Sequence, residues 1–149
     1  MENADVSLHD CRTNHIQYEE QFIKFFIPDG FYLIHGADSS EPTESYNAEV
    51  TCRFMDRYEE RFRVTVYRKN IFGQTVREDR TDRFVSAVNA GKVEFEFVYT
   101  YRSYHGVLFK GYLWRKKKPW WRECEIELMT DEITYSWEER AAERIVTVK

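Results

Sequence analysis

Bulky apolar residues and polar residues alternate along much of the chain. The clearest run places Val93, Phe95, Phe97, Tyr99 and Tyr101 at every second position. Side chains of a strand point alternately to its two faces, so this pattern predicts strands that bury one face. The same alternation recurs at 46–54, 62–66 and 120–128, and shorter candidate strands lie at 22–27, 31–35, 83–88, 107–114, 132–137 and 145–148.

Short breaks separate these runs, and most contain Gly, Pro, Asn or Asp, which favour turns. Parallel strands need connections of a dozen or more residues, usually helical, and the chain has no long helical pattern between its strands. We therefore predict an all-β, antiparallel two-sheet β-sandwich, with a closed barrel as the alternative arrangement. A helical pattern is confined to 138–144, where a short C-terminal helical turn is expected.

Neither a repeat nor a long linker divides the sequence. A chain of 149 residues can bury roughly 68 to 70% of its unfolded surface, which is enough for a core without disulfides or metal. We expect a single β-sandwich domain at 21–149. The first twenty residues are acidic and polar, so a flexible N-terminal arm is expected at 1–20.

Membrane and export signals are missing from the sequence as it stands. No run approaches the roughly 18 apolar residues that cross a bilayer, and the N-terminus lacks the basic and then apolar layout of a signal peptide. We predict a cytoplasmic protein that is not transmembrane. The odd, widely spaced set of Cys11, Cys52 and Cys124 argues against a disulfide framework and agrees with a reducing compartment.

Charge is segregated along the chain, although the net charge of -4 gives no overall attraction to nucleic acid or membranes. Residues 102–122 include seven basic and no acidic side chains, whereas 123–143 include eight acidic side chains and one base, Arg140. The acidic tail at 138–143 could pair with the basic hairpin of a second copy. This pairing would favour a homo-oligomer.

The middle of the basic segment combines cations with tryptophans. Cations neutralise phosphates, and tryptophan rings stack on bases or settle at a lipid interface. One interpretation is a hairpin tip that binds nucleic acid or an anionic lipid; the other is a lysine-rich turn that keeps a connection between two strands soluble. The candidate residues are Trp114, Arg115, Lys116, Lys117, Lys118, Trp120, Trp121 and Arg122.

The order of features in the middle of the chain resembles a galectin domain. A segment with Pro28 and Gly30 leads into a strand closed by Gly36. Further on come Asn70, a turn, the Glu-x-Arg pair Glu78 and Arg80, Phe84, and an aromatic strand after Gly91. The resemblance covers roughly 27–114.

This resemblance implies a jelly-roll sandwich with a site for β-galactosides. Asn70, Glu78 and Arg80 would match the sugar-binding Asn and Glu-x-Arg pair of the galectins. The His-x-Asn-x-Arg strand of that family is absent, and Thr75 stands where its stacking Trp is expected. A sugar needs an aromatic plate and converging hydrogen-bonding groups, so a degenerate site is implied.

Motifs for catalysis or cofactors are absent from the sequence. It has no nucleophile elbow and no Gly-rich phosphate loop. His9, Cys11 and His15 are clustered, but a closed zinc site needs a fourth ligand. His105, followed by a glycine, is expected in a turn. We therefore expect no catalytic residue, no metal and no cofactor.

Aromatic residues near the basic segment suggest recognition instead. Tyr and Arg are frequent anchors of interfaces, and Tyr99, Tyr101, Tyr104 and Tyr112 are candidate anchors unless they are core and boundary residues. We predict a non-enzymatic, galectin-like binding module that recognises a protein partner or a glycan. The alternative is a module that binds RNA, DNA or an acidic lipid through the 114–122 hairpin.

Overall fold

A computed structural model describes residues 5–34, 43–55, 60–138 and 143–148. In these ranges the chain is mostly strand, with one short helix. The elements are β1 (Asp5–Ser7), β2 (Cys11–Thr13), β3 (His15–Tyr18), β4 (Phe22–Ile27), β5 (Tyr32–Ile34), β6 (Thr43–Glu44), β7 (Tyr46–Phe54), β8 (Phe62–Lys69), β9 (Thr75–Asp79), α1 (Thr81–Asn89), β10 (Val93–Arg102), β11 (Gly106–Arg115), β12 (Trp121–Glu138) and β13 (Glu143–Val148).

Two antiparallel layers share the long strand β12. Its first half pairs with β11 and β8, and its second half pairs with β7 and β13. One layer therefore has the order β2-β10-β11-β12-β8-β9, and the other has the order β3-β4-β7-β12-β13. The layers also join where β2 runs into β3 across Asn14. The predicted all-β, antiparallel, sandwich-like fold is confirmed.

The core is an aromatic cluster between the layers. Phe25 of β4 contacts Phe97 and Phe109 of the opposite layer, with ring centroids 5.6 and 5.9 Å apart. Phe97 also lies 4.9 Å from Phe95 and 5.0 Å from Phe109. All four rings are fully buried and meet edge to face, the geometry that the charge distribution of aromatic rings favours.

The N-terminal segment differs from the expected flexible arm. Residues 5–18 form β1, β2 and β3, and Thr13 and Ile16 are buried. The Thr13 hydroxyl donates to the backbone oxygen of Phe26 at 2.8 Å. The prediction of a flexible arm at 1–20 is therefore wrong over 5–18. The segment is acidic and polar in composition, but its few apolar residues pack against the strands with which it pairs. Residues 1–4 lie outside the described ranges.

Helix α1 replaces the strand predicted at 83–88. Phe84 and Val88 are four positions apart and are the buried residues of the helix, so the segment has a helical apolar face. At its start, Asp79 Oδ1 accepts hydrogen bonds from the backbone N–H (2.9 Å) and the hydroxyl (2.6 Å) of Thr81. At its end, the Asn89 side chain bonds both backbone groups of Ile16 at 2.8 Å.

The helical turn expected at 138–144 is not seen at its described ends. Glu138 is the last residue of β12, and Glu143 and Arg144 are the first residues of β13. Ladder pairing of Glu138 with Glu143 brings the two strands together as a hairpin. Residues 139–142 of the expected turn lie outside the described ranges.

The three cysteines are free thiols inside the fold. Cys11, Cys52 and Cys124 are all buried. Burial raises the pKa of Cys52 to about 12 and that of Cys11 to about 11, and it raises the pKa of Cys124 as well. Because the thiolate is the nucleophile, these side chains are poor targets for alkylation in the folded state.

We expect iodoacetamide to label Cys52 and Cys124 only when the protein unfolds. A pKa of about 12 in place of 9.0 makes the thiolate fraction of Cys52 near neutral pH roughly a thousandfold smaller. Mass spectrometry of the native protein and of the same protein in urea measures the difference. Equal labelling rates in the two samples would contradict the burial of these thiols.

Candidate anion-binding site

The basic and aromatic segment is the hairpin between β11 and β12. Trp114 lies opposite Trp121 in the ladder. Arg115 closes the turn by donating its backbone N–H to the carbonyl oxygen of Trp120 at 2.7 Å. The three lysines at 116–118 are exposed in the turn itself. The hairpin therefore presents a compact group of cations at one end of the layer with the order β2-β10-β11-β12-β8-β9.

The tryptophans of this hairpin remain partly exposed. Trp120 and Trp121 have exposed fractions of 51% and 49%. The ring of Tyr112 packs against that of Trp121 with centroids 5.0 Å apart, and the Arg12 guanidinium lies 4.3 Å from the centre of the Trp114 ring. Neither Trp120 nor Trp121 belongs to the core, so the hairpin adds an aromatic surface to its positive charge.

Arg122 connects this hairpin to a cavity. In β12 the residues Cys124, Ile126 and Leu128 are buried, and strand alternation places Arg122 on the same side as they are. The cavity has a volume of about 120 Å³, which is large enough for a small ion. Its lining residues are Val66, Arg80, Arg83, Phe84, Ala87, Val93, Leu113, Arg115 and Arg122. Every charged residue in this lining is an arginine.

Glu78 holds two arginines beside the cavity. Arg80 Nε donates to Glu78 Oε2 at 3.0 Å, and Arg68 bonds the other carboxylate oxygen. Burial alone would raise the pKa of Glu78, but hydrogen bonds from Arg80 and Arg68, together with their charges, hold that pKa below its ordinary value. Glu78 is thus ionised at neutral pH and fixes the guanidinium groups in position.

The surroundings of Arg122 disfavour its positive charge. Its Nε atom is buried and has no hydrogen-bond partner among the described residues. Burial and then the charge of Arg115 lower the pKa of Arg122, and Arg80 and Arg68 lower it further; Glu78 acts in the opposite direction. A buried donor without an acceptor is costly. An anion in the cavity would supply both the acceptor and the compensating charge.

A second cavity lies on the other side of Arg122. The ladder between β8 and β12 begins at Val66 and Cys124. Beyond that pair the two strands border a cavity of about 470 Å³. It is lined by Tyr67, Arg68, Lys69, Thr75, Pro119, Trp121, Arg122 and Glu123. Arg122 lines both cavities and so links the arginine pocket to the base of the hairpin; Glu123 is the acidic residue in the lining of the second cavity.

The residues carried over from the galectin resemblance fall in different settings. Glu78 and Arg80 are neighbours in an ion pair. The Asn70 amide oxygen instead accepts the backbone N–H groups of Phe72 (2.9 Å) and Gln74 (3.0 Å), so it shapes the turn between β8 and β9. The Glu-x-Arg pair thus belongs to the arginine cluster, while Asn70 has a local structural role.

Two arginines of this site, Arg68 and Arg83, are not among the residues that the sequence predicts for it. Arg68 extends the buried alternation of Val64 and Val66 by one step, and this signal was available in the sequence. Arg83 was assigned to a strand, and only the observed helix brings it to the cavity. Arg122, by contrast, was visible as the single charge on an otherwise apolar strand face.

The remaining candidates lie elsewhere. His9 Nδ1 contacts the backbone oxygen of Val98 at 3.0 Å, and the part of the chain that is described holds no group of three His, Cys, Asp or Glu side chains suited to a metal. The ring of His105 packs 4.4 Å from Tyr104 in the turn between β10 and β11. These residues form no site with the arginines.

Three of the four candidate tyrosines lie together on the outer face, apart from the arginines. Tyr99, Tyr101 and Tyr112 line a cavity of about 190 Å³ together with Tyr67. Tyr104 lies apart, in the turn at the opposite end of the strands, and is 90% exposed. The four predicted anchors are therefore accessible, but they do not make one continuous patch.

Comparisons with protein-family models, with curated proteins and with solved structures found no match to this chain. The helix that is described is too short and too polar to cross a bilayer. The assignment of function therefore rests on the site geometry.

Proposed function

We propose that this protein is a binding module whose arginine pocket holds a phosphate-type oxyanion. The observation that carries the proposal is the convergence of Arg80, Arg83, Arg115 and Arg122 on one cavity of about 120 Å³ without a carboxylate in its lining. Guanidinium groups bind tetrahedral oxyanions through paired, charge-assisted hydrogen bonds. A dianion suits such a site better than a single carboxylate does.

The energetic cost of the arginine cluster supports a role in ligand binding. Burial and the charges of Arg115, Arg80 and Arg68 disfavour the charged form of Arg122 in spite of Glu78, and the buried Nε of Arg122 lacks an acceptor. A fold selected for stability alone would place an apolar residue at 122, since the neighbouring inward positions of β12 are apolar. A bound oxyanion relieves both penalties at once.

Arg122→Gln is expected to separate binding from stability. The variant should lose the rise in melting temperature that inorganic phosphate gives the wild type, with affinity at least about tenfold lower because one or two charged hydrogen bonds are lost. Without phosphate its melting temperature should equal or exceed that of the wild type. Thermal unfolding in phosphate and in chloride of equal ionic strength measures both effects.

Arg63→Gln is the matched control. Arg63 lies in β8, is exposed, and pairs with Glu60 away from the cavity. This variant loses the same charge and should keep the full phosphate response. A wild-type protein that responds to phosphate no more than to chloride would refute the proposal.

A glycan-binding role of the galectin type is the second candidate, favoured by the Glu78 and Arg80 pair alone. Because Asn70 is engaged by its own turn, we infer weak galactoside binding at most. A glycan array with a galactoside competitor tests this role. Competition by phosphate on the same array would assign the signal to the arginine pocket.

A further inference from the structure

The turn between β8 and β9 exposes two adjacent large apolar side chains. Ile71 is 94% exposed and Phe72 is 80% exposed. Single exposed apolar residues are common on protein surfaces, but a neighbouring pair at the apex of a hairpin is a local apolar projection. The residues that flank this turn, Lys69 and Thr75, line the larger of the two cavities beside Arg122.

Hydrogen bonds hold this apex in shape. Asn70 accepts from Phe72 and Gln74 through its side chain, and its own backbone N–H donates to the Gln74 oxygen at 2.9 Å. Gly73 donates to the Asn70 backbone oxygen at 3.0 Å, with a φ of +76° that glycine adopts without strain. The outward position of Ile71 and Phe72 is therefore built into the turn.

The same end of the molecule carries the basic hairpin. Lys69 and Thr75, which flank the turn, line one cavity together with Pro119 and Trp121 of the β11–β12 hairpin. Antiparallel pairing of β8 with β12 likewise brings the end of β8 to the start of β12. The two tips are neighbours, so apolar residues, half-exposed tryptophans and the lysines at 116–118 form one surface, here called the tip surface.

We propose that the tip surface docks on membranes that contain acidic lipids. Apolar side chains at a projecting apex insert into the boundary between headgroups and acyl chains, tryptophans favour that boundary, and lysines beside them are attracted to anionic headgroups. Nucleic acid fits this surface less well, because Ile71 has no ring to stack on a base. The proposal goes beyond the phosphate pocket and does not require it.

Vesicle sedimentation tests the proposal with the full chain. The probes are vesicles of phosphatidylcholine mixed with phosphatidylserine, vesicles of phosphatidylcholine alone, and polyuridylate RNA. Wild-type protein should bind the mixed vesicles and shift its tryptophan emission to shorter wavelength, because Trp120 and Trp121 leave water. The double variant Ile71→Ser/Phe72→Ser should bind them at least about tenfold more weakly, because burial of a large apolar side chain is lost.

Tyr104→Ser is the control, since Tyr104 is 90% exposed at the opposite end of β10 and β11. It should bind vesicles as the wild type does. Unchanged vesicle binding by the double variant, or preference of the wild type for RNA over mixed vesicles, would overturn the proposal. The double variant should keep its response to inorganic phosphate, whereas Arg122→Gln loses it, so failure of one proposal is distinguishable from failure of the other.

Discussion

Phe97→Ala is expected to lower the free energy of unfolding by about 3–5 kcal/mol, the range found when a buried aromatic ring is deleted. Phe97 is fully buried and touches Phe25, Phe95 and Phe109. These rings come from both layers, so they cannot fill the space left by the deleted ring unless one layer moves toward the other. Urea unfolding followed by circular dichroism measures the loss.

Phe72→Ala is the control for that experiment. Phe72 is 80% exposed, so the same truncation should change the free energy of unfolding by less than about 0.5 kcal/mol. A comparable loss in both variants would mean that the effect does not come from the core. A loss near zero for Phe97→Ala would contradict the aromatic cluster between the layers.

Gly111→Ala is expected to destabilise the protein by about 3 kcal/mol or more, although it adds only one methyl group. A Cβ atom at Gly111 would lie 1.8 Å from the backbone oxygen of Glu96 and 3.2 Å from the Phe95 ring. The close approach follows from the irregular register of β10 between Phe97 and Tyr99, opposite this glycine. The backbone must move to make room for the methyl group, and this movement breaks hydrogen bonds of the ladder.

Lys110→Ala is the matched control in the same strand. Lys110 is half-buried and forms a surface ion pair with Glu125 at 3.5 Å, so its truncation should cost less than about 1 kcal/mol. Thermal and urea unfolding of the two variants give the comparison. If Gly111→Ala unfolds at the same urea concentration as Lys110→Ala, the close contact with Glu96 is not present in solution.

Alternation made most strands predictable, because one face of each strand is buried. Residues 46–54 and 93–101 were assigned correctly as strands on that basis. The runs at 120–128 and 132–137 were also strands, but they belong to the single strand β12, since the ladder continues through Thr130 with a change of register. Sequence alone does not show which breaks interrupt a strand and which only bend it.

Short helices and isolated strands were harder to predict. In α1, Phe84 and Val88 fit a helical face and Val85 favours a strand, so nine residues give an ambiguous pattern. The strands of residues 5–18 are only three or four residues long, and two of them pair with strands further along the chain: β1 with β5 and β2 with β10. Nothing local distinguishes such segments from a polar arm.

The candidate site was predictable only in part. The hairpin at 114–122 was evident from its composition, and Arg122 from its place on an apolar face. The pocket itself depends on three separate elements: Arg80 and Arg83 lie at the start of α1, Arg115 ends β11, and Arg122 is the second residue of β12. Convergence of residues about forty positions apart is a property of the tertiary fold.

The position of β12 affects how the chain folds while it is being synthesised. Its partners β7, β8 and β11 all precede it in the sequence, and it is an interior strand of both layers. During synthesis neither layer can be completed until residues 121–138 have left the ribosome. Until then, the edges of β7, β8 and β11 that face β12 have no partner. Nascent chains that end before Trp121 therefore carry unpaired strand edges of the kind that aggregate unless a chaperone covers them.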